Sequence, residues 1–404
     1  MYDFVVFGYY ATAIGRAFFP AGSAFASLML SLMTFGAGFL VRPLGAVVLG
    51  VYIDRHGRRA GLMLTLGLMA AGTLTLACTP GYATLGLAAP VLVVAGRLLQ
   101  GFSAGAELGG VSVYLSEIAP PGRKGFYVAW QSASQQAAVV FTALVGVLLG
   151  ELLSAEDMGR WGWRVPFLLG CGIIPLLLLL RRWMQETEAF RSRPHPARSA
   201  ELFRTLRGHA RVVVLGILLT TMTTVSFYLI TAYTPTFGER ELSLGTRDVL
   251  TVTLCVGASN FVWLPVMGAV SDRVGRRRLL VGFAGLALLT AYPVMAWLTR
   301  EPSFARLLAV GLWLSFLYAG YNGALVVYLT EIMPAQVRTS AFSLAYSLAT
   351  ALGGFTPAVS TYLIHRTGDP AAPGAWLSLA AGLGLTAALL AGRRASGAAG
   401  AGVA

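Results

Sequence analysis

Charge is what this sequence has least of. Only 12% of its 404 residues are Asp, Glu, Lys or Arg, half of the roughly 25% usual in a soluble domain. Cysteine is nearly absent too. Cys78, Cys171 and Cys255 stand far apart in apolar surroundings, which excludes a disulfide framework or a cysteine metal site and leaves them to pack as small apolar residues. The four histidines form no metal-ligand spacing, and His365 has no sequence partner and is assigned no role. There is no P-loop, dinucleotide fingerprint, nucleophile elbow or metalloprotease motif. These absences argue against ATP-driven pumping and membrane enzymology, so the chain is not expected to be an enzyme.

Long apolar runs fill the space that charge leaves. Hydrophobic residues make up 56% of the chain and the mean hydropathy is +0.70. Runs of about 18 or more apolar residues recur along it, each long enough to cross a bilayer. Windows between breakers give twelve spans, at 1–20, 27–52, 60–79, 84–112, 126–150, 163–183, 211–237, 248–270, 279–298, 304–330, 339–364 and 374–392. The net charge of +13 reports topology and no polyanion. Of the 30 Lys and Arg, 20 fall in loops alternating onto one side, seven in the opposite loops and three (Arg16, Arg42, Arg97) within spans. The positive-inside rule makes the basic side cytoplasmic, with both termini there.

The hydrophilic connection 184–210 divides the chain into a six-span half at 1–183 and another at 211–392; the tail 393–404 reads as disordered. The first span begins at once after Met1, without a cytoplasmic lead, which points to residues missing in front of it. It is too long and too polar at its far end for a cleaved signal peptide.

The halves are repeats. "GVYIDRHGRR" (50–59) returns as "GAVSDRVGRR" (268–277), an offset of 218, and "VYLSEIAP" (113–120) returns as "VYLTEIMP" (327–334), an offset of 214. Each pair holds the same place in its half. Two six-span halves of the same polarity predict a pseudo-twofold axis along the membrane normal, with a substrate site between them.

The loop G-x-x-x-D-R-x-G-R-R, present twice, resembles the signature loop of the major facilitator superfamily. "RLLQGFSAGAELGG", "SEIAPPGRKGFY" and "YDFVVFGYYA" look like its metabolite–proton symporter branch. "GVSVYLSEIAPPGRKGFYVAWQSASQQ", "SNFVWLPVMGAVSDRVGRR" and "YNGALVVYLTEIMPAQVRTSAFSLAYSLATALGG" resemble the bacterial citrate and tricarballylate proton symporters. The resemblance covers nearly the whole chain. It implies an all-α integral membrane fold of twelve helices in two pseudo-twofold related halves. It also implies that the signature loop is a cytoplasmic latch, which forms and breaks as the halves rock, and that the first, fourth, seventh and tenth spans line the cavity.

Site residues follow from charge in apolar places. A central Arg costs about 3 kcal/mol on insertion scales, so Arg97 in the fourth span is expected to serve the site, its planar fork suiting a carboxylate. Glu107 lies ten residues on, about 15 Å along a helix, too far to pair with Arg97 but a candidate proton carrier. Asp3 in "YDF" is a second. Arg42 before Pro43 reads as structural, or as added positive potential for the cavity. Gln131, Gln135, Thr223, Tyr321 and Asn322 are the neutral groups expected to meet substrate. Asp54, Arg58, Asp272 and Arg276 in the repeated loops, with Glu117 and Glu331 at the ends of the fourth and tenth spans, are the expected gate. Gly101, Gly105 and Gly109 share a face for close helix packing.

The expected function is proton-coupled import of a tricarboxylate by alternating access. Another organic acid or osmolyte (a dicarboxylate, shikimate, betaine or proline) is the alternative, and a non-transporting sensor a third reading. The partners are the small substrate, protons and the bilayer of a bacterial inner membrane, without nucleic acid. No cofactor or metal is expected, and the chain is expected to act as a monomer.

Overall fold

The computed structural model describes residues 1–56, 58–105, 107–182, 208–333 and 338–399. Residues 184–207 of the expected linker and 400–404 of the tail lie outside these. Ten of the described helices are long and apolar enough to cross a membrane. The first span is broken at Tyr10 into Tyr2–Tyr9 and Ala11–Phe18, and the sixth is Val165–Arg182. With these two, twelve spans follow in the expected order.

The breaks have local causes. The second span is Ala24–Leu40 followed by Arg42–His56, interrupted just before Pro43, and the eleventh is Arg338–Gly353 followed by Thr356–Thr367, with Pro357 opening its second part. Proline is tolerated in a helix's first turn, where its missing N–H has no partner to lose. The fourth span is Ala88–Ala104 and Glu107–Ile118. The seventh holds a π-helical stretch, Tyr228–Tyr233, between Ala210–Phe227 and Thr234–Arg240; such stretches tend to occur at functional sites. Ser23 and Ser303 cap the second and tenth spans, accepting from the backbone N–H of Ala26 and Arg306, so a hydroxyl satisfies one of the otherwise orphaned donors. Gly275, at φ +100°, makes the turn between the eighth and ninth spans (Thr246–Val274 and Arg276–Arg300).

Two expectations need correction. The last helix, Ala372–Ala399, runs past 392 into the tail. Cys78 is exposed at the end of the third span (Arg58–Cys78) instead of packed inside.

Lipid-facing surfaces are apolar, as with Leu152 at 78% and Leu289 at 72% exposure. The fifth span (Lys124–Leu152) packs along the eighth, and the second along the eleventh, so these two junctions join the halves. The small-residue face on the fourth span does the expected packing. A side chain at Gly101 would strike the carbonyl of Gly38, and one at Gly105 that of Arg42, both on the second span. At Gly109 it would strike Ser343 across the junction, on the eleventh.

The halves touch on both sides of the molecule. Towards the basic loops, Thr330 of the tenth span (Phe304–Ile332) donates to Ser116 of the fourth at 3.3 Å. Towards the opposite face, Glu151 pairs with Arg247 at 2.8 Å, and the rings of Phe25 and His365 stack 3.9 Å apart. Among the described residues, the halves are therefore in contact towards both faces.

Candidate functional site

Arg97 is fully buried, and the small cavity between the halves described below is bordered by other residues. Its guanidinium carbon sits 4.5 Å from the ring centroids of both Phe4 and Phe7 and 5.2 Å from that of Phe35. These rings come from the first and second spans and wall the cation in on its π faces, an attraction that grows on desolvation. The rim of the fork is used as well: Nη1 donates to Oε1 of Gln100 at 2.8 Å, and Nη2 to the Phe35 carbonyl at 3.4 Å.

From there a line of hydrogen bonds runs across three spans. Gln100 Nε2 donates to the Thr73 hydroxyl at 3.0 Å, and that hydroxyl donates to Oδ2 of Asp3 at 2.7 Å. Asp3 is itself 9% exposed. A buried cation and a buried carboxylate are thus joined through two neutral groups, without a direct ion pair. Desolvating both charges costs several kcal/mol each. Only a network with every member in place offsets that.

The central cavity lies between the halves and has a volume of about 20 Å³. Arg42 and Gln135 border it from the first half. Thr224 and Tyr228 of the seventh span, Tyr318 of the tenth, and Tyr346 and Thr350 of the eleventh border it from the second. The first half's wall carries a cation and an amide beside Met1, and the second half's carries hydroxyls beside Phe227. Arg42 is 3% exposed, its guanidinium carbon 4.8 Å from the Phe4 centroid and 4.6 Å from that of Phe39. Phe4 therefore contacts both Arg42 and Arg97.

Of the expected substrate groups, Gln135 alone borders this cavity. Gln131 accepts from Ser132 at 3.0 Å. Thr223 donates to Asn322 Oδ1 at 2.8 Å and Tyr321 to the Leu219 carbonyl at 2.9 Å, so these three tie the seventh and tenth spans together inside the second half. Sequence reasoning passed over Thr73 and Gln100, and ranked Arg42 as structural. Gln100 stands three residues after Arg97, on the same helical face, and that spacing is the signal that points to it.

Three of the expected gate residues meet. Asp272 accepts from the backbone N–H of Gly125 at 2.8 Å and of Phe126 at 3.0 Å, which are the orphan donors at the start of the fifth span. A carboxylate there also meets the positive end of the helix dipole. Arg276 bonds to Asp272 at 2.6 Å, to Ser271 at 2.8 Å and to Glu331 at 3.4 Å. Glu117 is exposed at the end of the fourth span. The side chains of Asp54, Arg58 and Glu107 lie outside the described residues.

Comparison with known proteins bears on the family and the fold. The profile of the Major Facilitator Superfamily matches residues 4–357. The citrate–proton symporters of Salmonella typhi and Klebsiella pneumoniae are 59% and 57% identical to the chain over 387 residues, covering 96% of it and 89% and 87% of their own lengths. The alpha-ketoglutarate permease of Escherichia coli K12 is 32% identical over 360 residues, or 87% of the chain and 81% of the permease. The xylose transporter of E. coli, in a partially occluded inward-open conformation, matches with a TM-score of 0.74 at 19% identity over 96% of this chain and 92% of that one, a likeness of fold. A profile match over most of the length, together with these relatives, makes the chain a member of the Major Facilitator Superfamily.

Proposed function

We propose that the chain imports a tricarboxylate, citrate or tricarballylate, together with protons by alternating access. The structural observation that carries the coupling is the buried line Asp3–Thr73–Gln100–Arg97. The extended identity to citrate–proton symporters supports the substrate class.

The coupling works through charge. With Asp3 ionised, its negative charge partly cancels that of Arg97 through the short relay. A proton on Asp3 removes the cancellation and raises the positive potential that Arg97 and Arg42, both against the Phe4 ring, set up beside the cavity. In a low-dielectric interior such a change acts strongly over these distances. Anion binding is thereby favoured when the proton is aboard, and the loaded or empty states move more readily than the half-loaded ones.

Protons also answer the membrane potential. A trivalent anion entering against about 100 mV faces about 7 kcal/mol, at 2.3 per charge, and co-transported protons remove that cost. Asp272, with Arg276 and Glu331, serves as a gate on the basic side, taken as cytoplasmic by the positive-inside rule. Breaking its bonds to the fifth span frees that end to open. Loading and release on opposite sides follow from the halves rocking about the cavity.

Uptake of labelled citrate and tricarballylate into proteoliposomes, with and without an imposed pH gradient, tests the reading. Accumulation should follow the gradient, and unlabelled alpha-ketoglutarate should compete weakly. Accumulation indifferent to the gradient would sink proton symport. Preference for the dicarboxylate would move the substrate class to that of the permease relative.

A further inference from the structure

The charge line of the first half ends against a glycine. Asp3 Oδ2 accepts from Thr73 at 2.7 Å, while Oδ1 accepts no hydrogen bond among the described residues and faces Gly170 of the sixth span. A Cβ placed on Gly170 would stand 2.9 Å from Oδ1, and 3.0 and 3.2 Å from two atoms of the Tyr2 ring. Carbon atoms at ease lie about 3.5–4.0 Å apart. No side chain fits at 170 while Asp3 and Tyr2 stay where they are.

Neither neighbour can retreat without loss. The Tyr2 hydroxyl donates to the Pro166 carbonyl at 2.9 Å, one turn before Gly170 on the same face of the sixth span. That bond fixes the ring along the span. Asp3 is short, so turning Oδ1 away from Gly170 also swings Oδ2 away from Thr73, through which the line reaches Gln100 and Arg97. A proton carried on Oδ1 leaves the Thr73 bond intact, since Oδ2 still accepts. The groups within electrostatic reach of Asp3 are Arg97 of the fourth span, Cys171 beside Gly170, and Tyr2 on its own helix.

The repeat uses the same notch for a different guest. The offset of 214 carries Gly170 onto Gly384 of the twelfth span. A Cβ there would stand 2.8 Å from the Tyr321 hydroxyl, which donates to the Leu219 carbonyl. Each half thus seats an oxygen from another span against a glycine, and the first half's guest is a carboxylate.

We infer that Gly170 is a positioning residue for proton coupling. Its missing side chain seats Asp3 so that Oδ1 takes the proton while Oδ2 holds the line to Arg97. The inference rests on the reading of Asp3 as proton carrier and adds the residue that keeps it in place.

Labelled citrate in proteoliposomes tests this, comparing gradient-driven accumulation with citrate-for-citrate exchange, and with melting temperature as the control for folding. Gly170→Ala should cut accumulation by about tenfold per unit of imposed pH gradient, the worth of one coupled proton. It should flatten the pH profile of uptake and leave exchange running. Gly172→Ala is the same change two residues on, where a Cβ meets nothing within 4 Å, and should behave as wild type. In the Asp3→Asn background Gly170→Ala should lower accumulation no further, because the two act on one step. Asp3→Glu approaches the notch from the other side: it keeps the acid, but the added methylene drives the carboxylate into Gly170, and accumulation should fall as far. Wild-type accumulation and pH profile in Gly170→Ala would overturn the inference, as would a loss that deepens in the Asp3→Asn background. Should Gly170→Ala not fold, full accumulation in Asp3→Glu would overturn it. Full accumulation in Asp3→Asn alone would instead remove the proton-carrier reading underneath.

Discussion

Along the 214-residue repeat, Arg97 of the fourth span falls on Gly311 of the tenth, and Gln100 falls on Leu314. In the first half these positions hold a buried guanidinium and the amide that leads through Thr73 to Asp3. In the second half Gly311 and Leu314 border an apolar cavity of about 30 Å³, whose other walls include Leu229, Ile230 and Met295. The helices pack in the same way, the fourth on the third and the tenth on the ninth. One scaffold, used twice, carries charge in one copy and an apolar cavity in the other. The reason is that the network works only whole: a cation at Gly311 without the amide and carboxylate would be buried and uncompensated, at several kcal/mol. A duplicated fold can therefore confine its titrating chemistry to one half and leave the other free to shape the cavity.

The sharpest way to break this comparison is to write the second half's residue into the first. Gln100→Leu leaves Arg97 Nη1 without its acceptor and cuts the line to Thr73. Removing one partner from a buried charged network costs about 3–5 kcal/mol, so a lowered melting temperature and lost uptake are expected together. An unchanged melting temperature would mean that the line is not under energetic load.

The opposite change tests the other half. Leu314→Ala enlarges a void already present beside a 5% exposed side chain. Large-to-small core changes cost about 2–5 kcal/mol. Stability should fall while the pH dependence of uptake stays where it was. A shifted pH profile would show that the second half takes part in proton coupling.

Asp3→Asn is nearly isosteric and can still accept from Thr73, so it mimics the protonated state without much structural loss. Each coupled proton is worth about tenfold, or about 1.4 kcal/mol, per unit of pH gradient. Gradient-driven accumulation should drop by at least that factor, while exchange of citrate for citrate across the membrane persists. Full accumulation in this variant would move the proton to another group.

Much of this could be read from the chain alone, for reasons that differ by residue. The spans and the repeat came through because hydropathy and helix length are local properties. Asp272 and Arg276 could be read because the loop packs its chemistry into ten consecutive residues. The setting of Arg97 could not, because its walls are Phe4, Phe7 and Phe35, brought from two other spans. A charge in an apolar run signals function but not which way it faces. Thr73 and Gln100 look like ordinary packing polar residues until the fold sets them 3.0 Å apart.

The smallest expected effect lies at the face opposite the basic loops, where the same offset of 214 carries Glu151 onto His365. Each residue ties its span to the other half, Glu151 by an ion pair with Arg247 and His365 by stacking on Phe25. The ion pair is half open to solvent, with side chains 72% and 49% exposed. Such pairs contribute about 0.2–1 kcal/mol and are screened by salt. The ring stack gains mainly by contact area, about 0.5–1.5 kcal/mol for an aromatic pair, and has little to lose to ions. Glu151→Gln should therefore lower the melting temperature slightly in dilute buffer and not at all in about 1 M salt, where the Debye length is near 3 Å. His365→Ala should lower it equally in both. If the two variants respond alike to salt, the junctions are closed by the same physics and the asymmetry between the halves stops at the membrane interior.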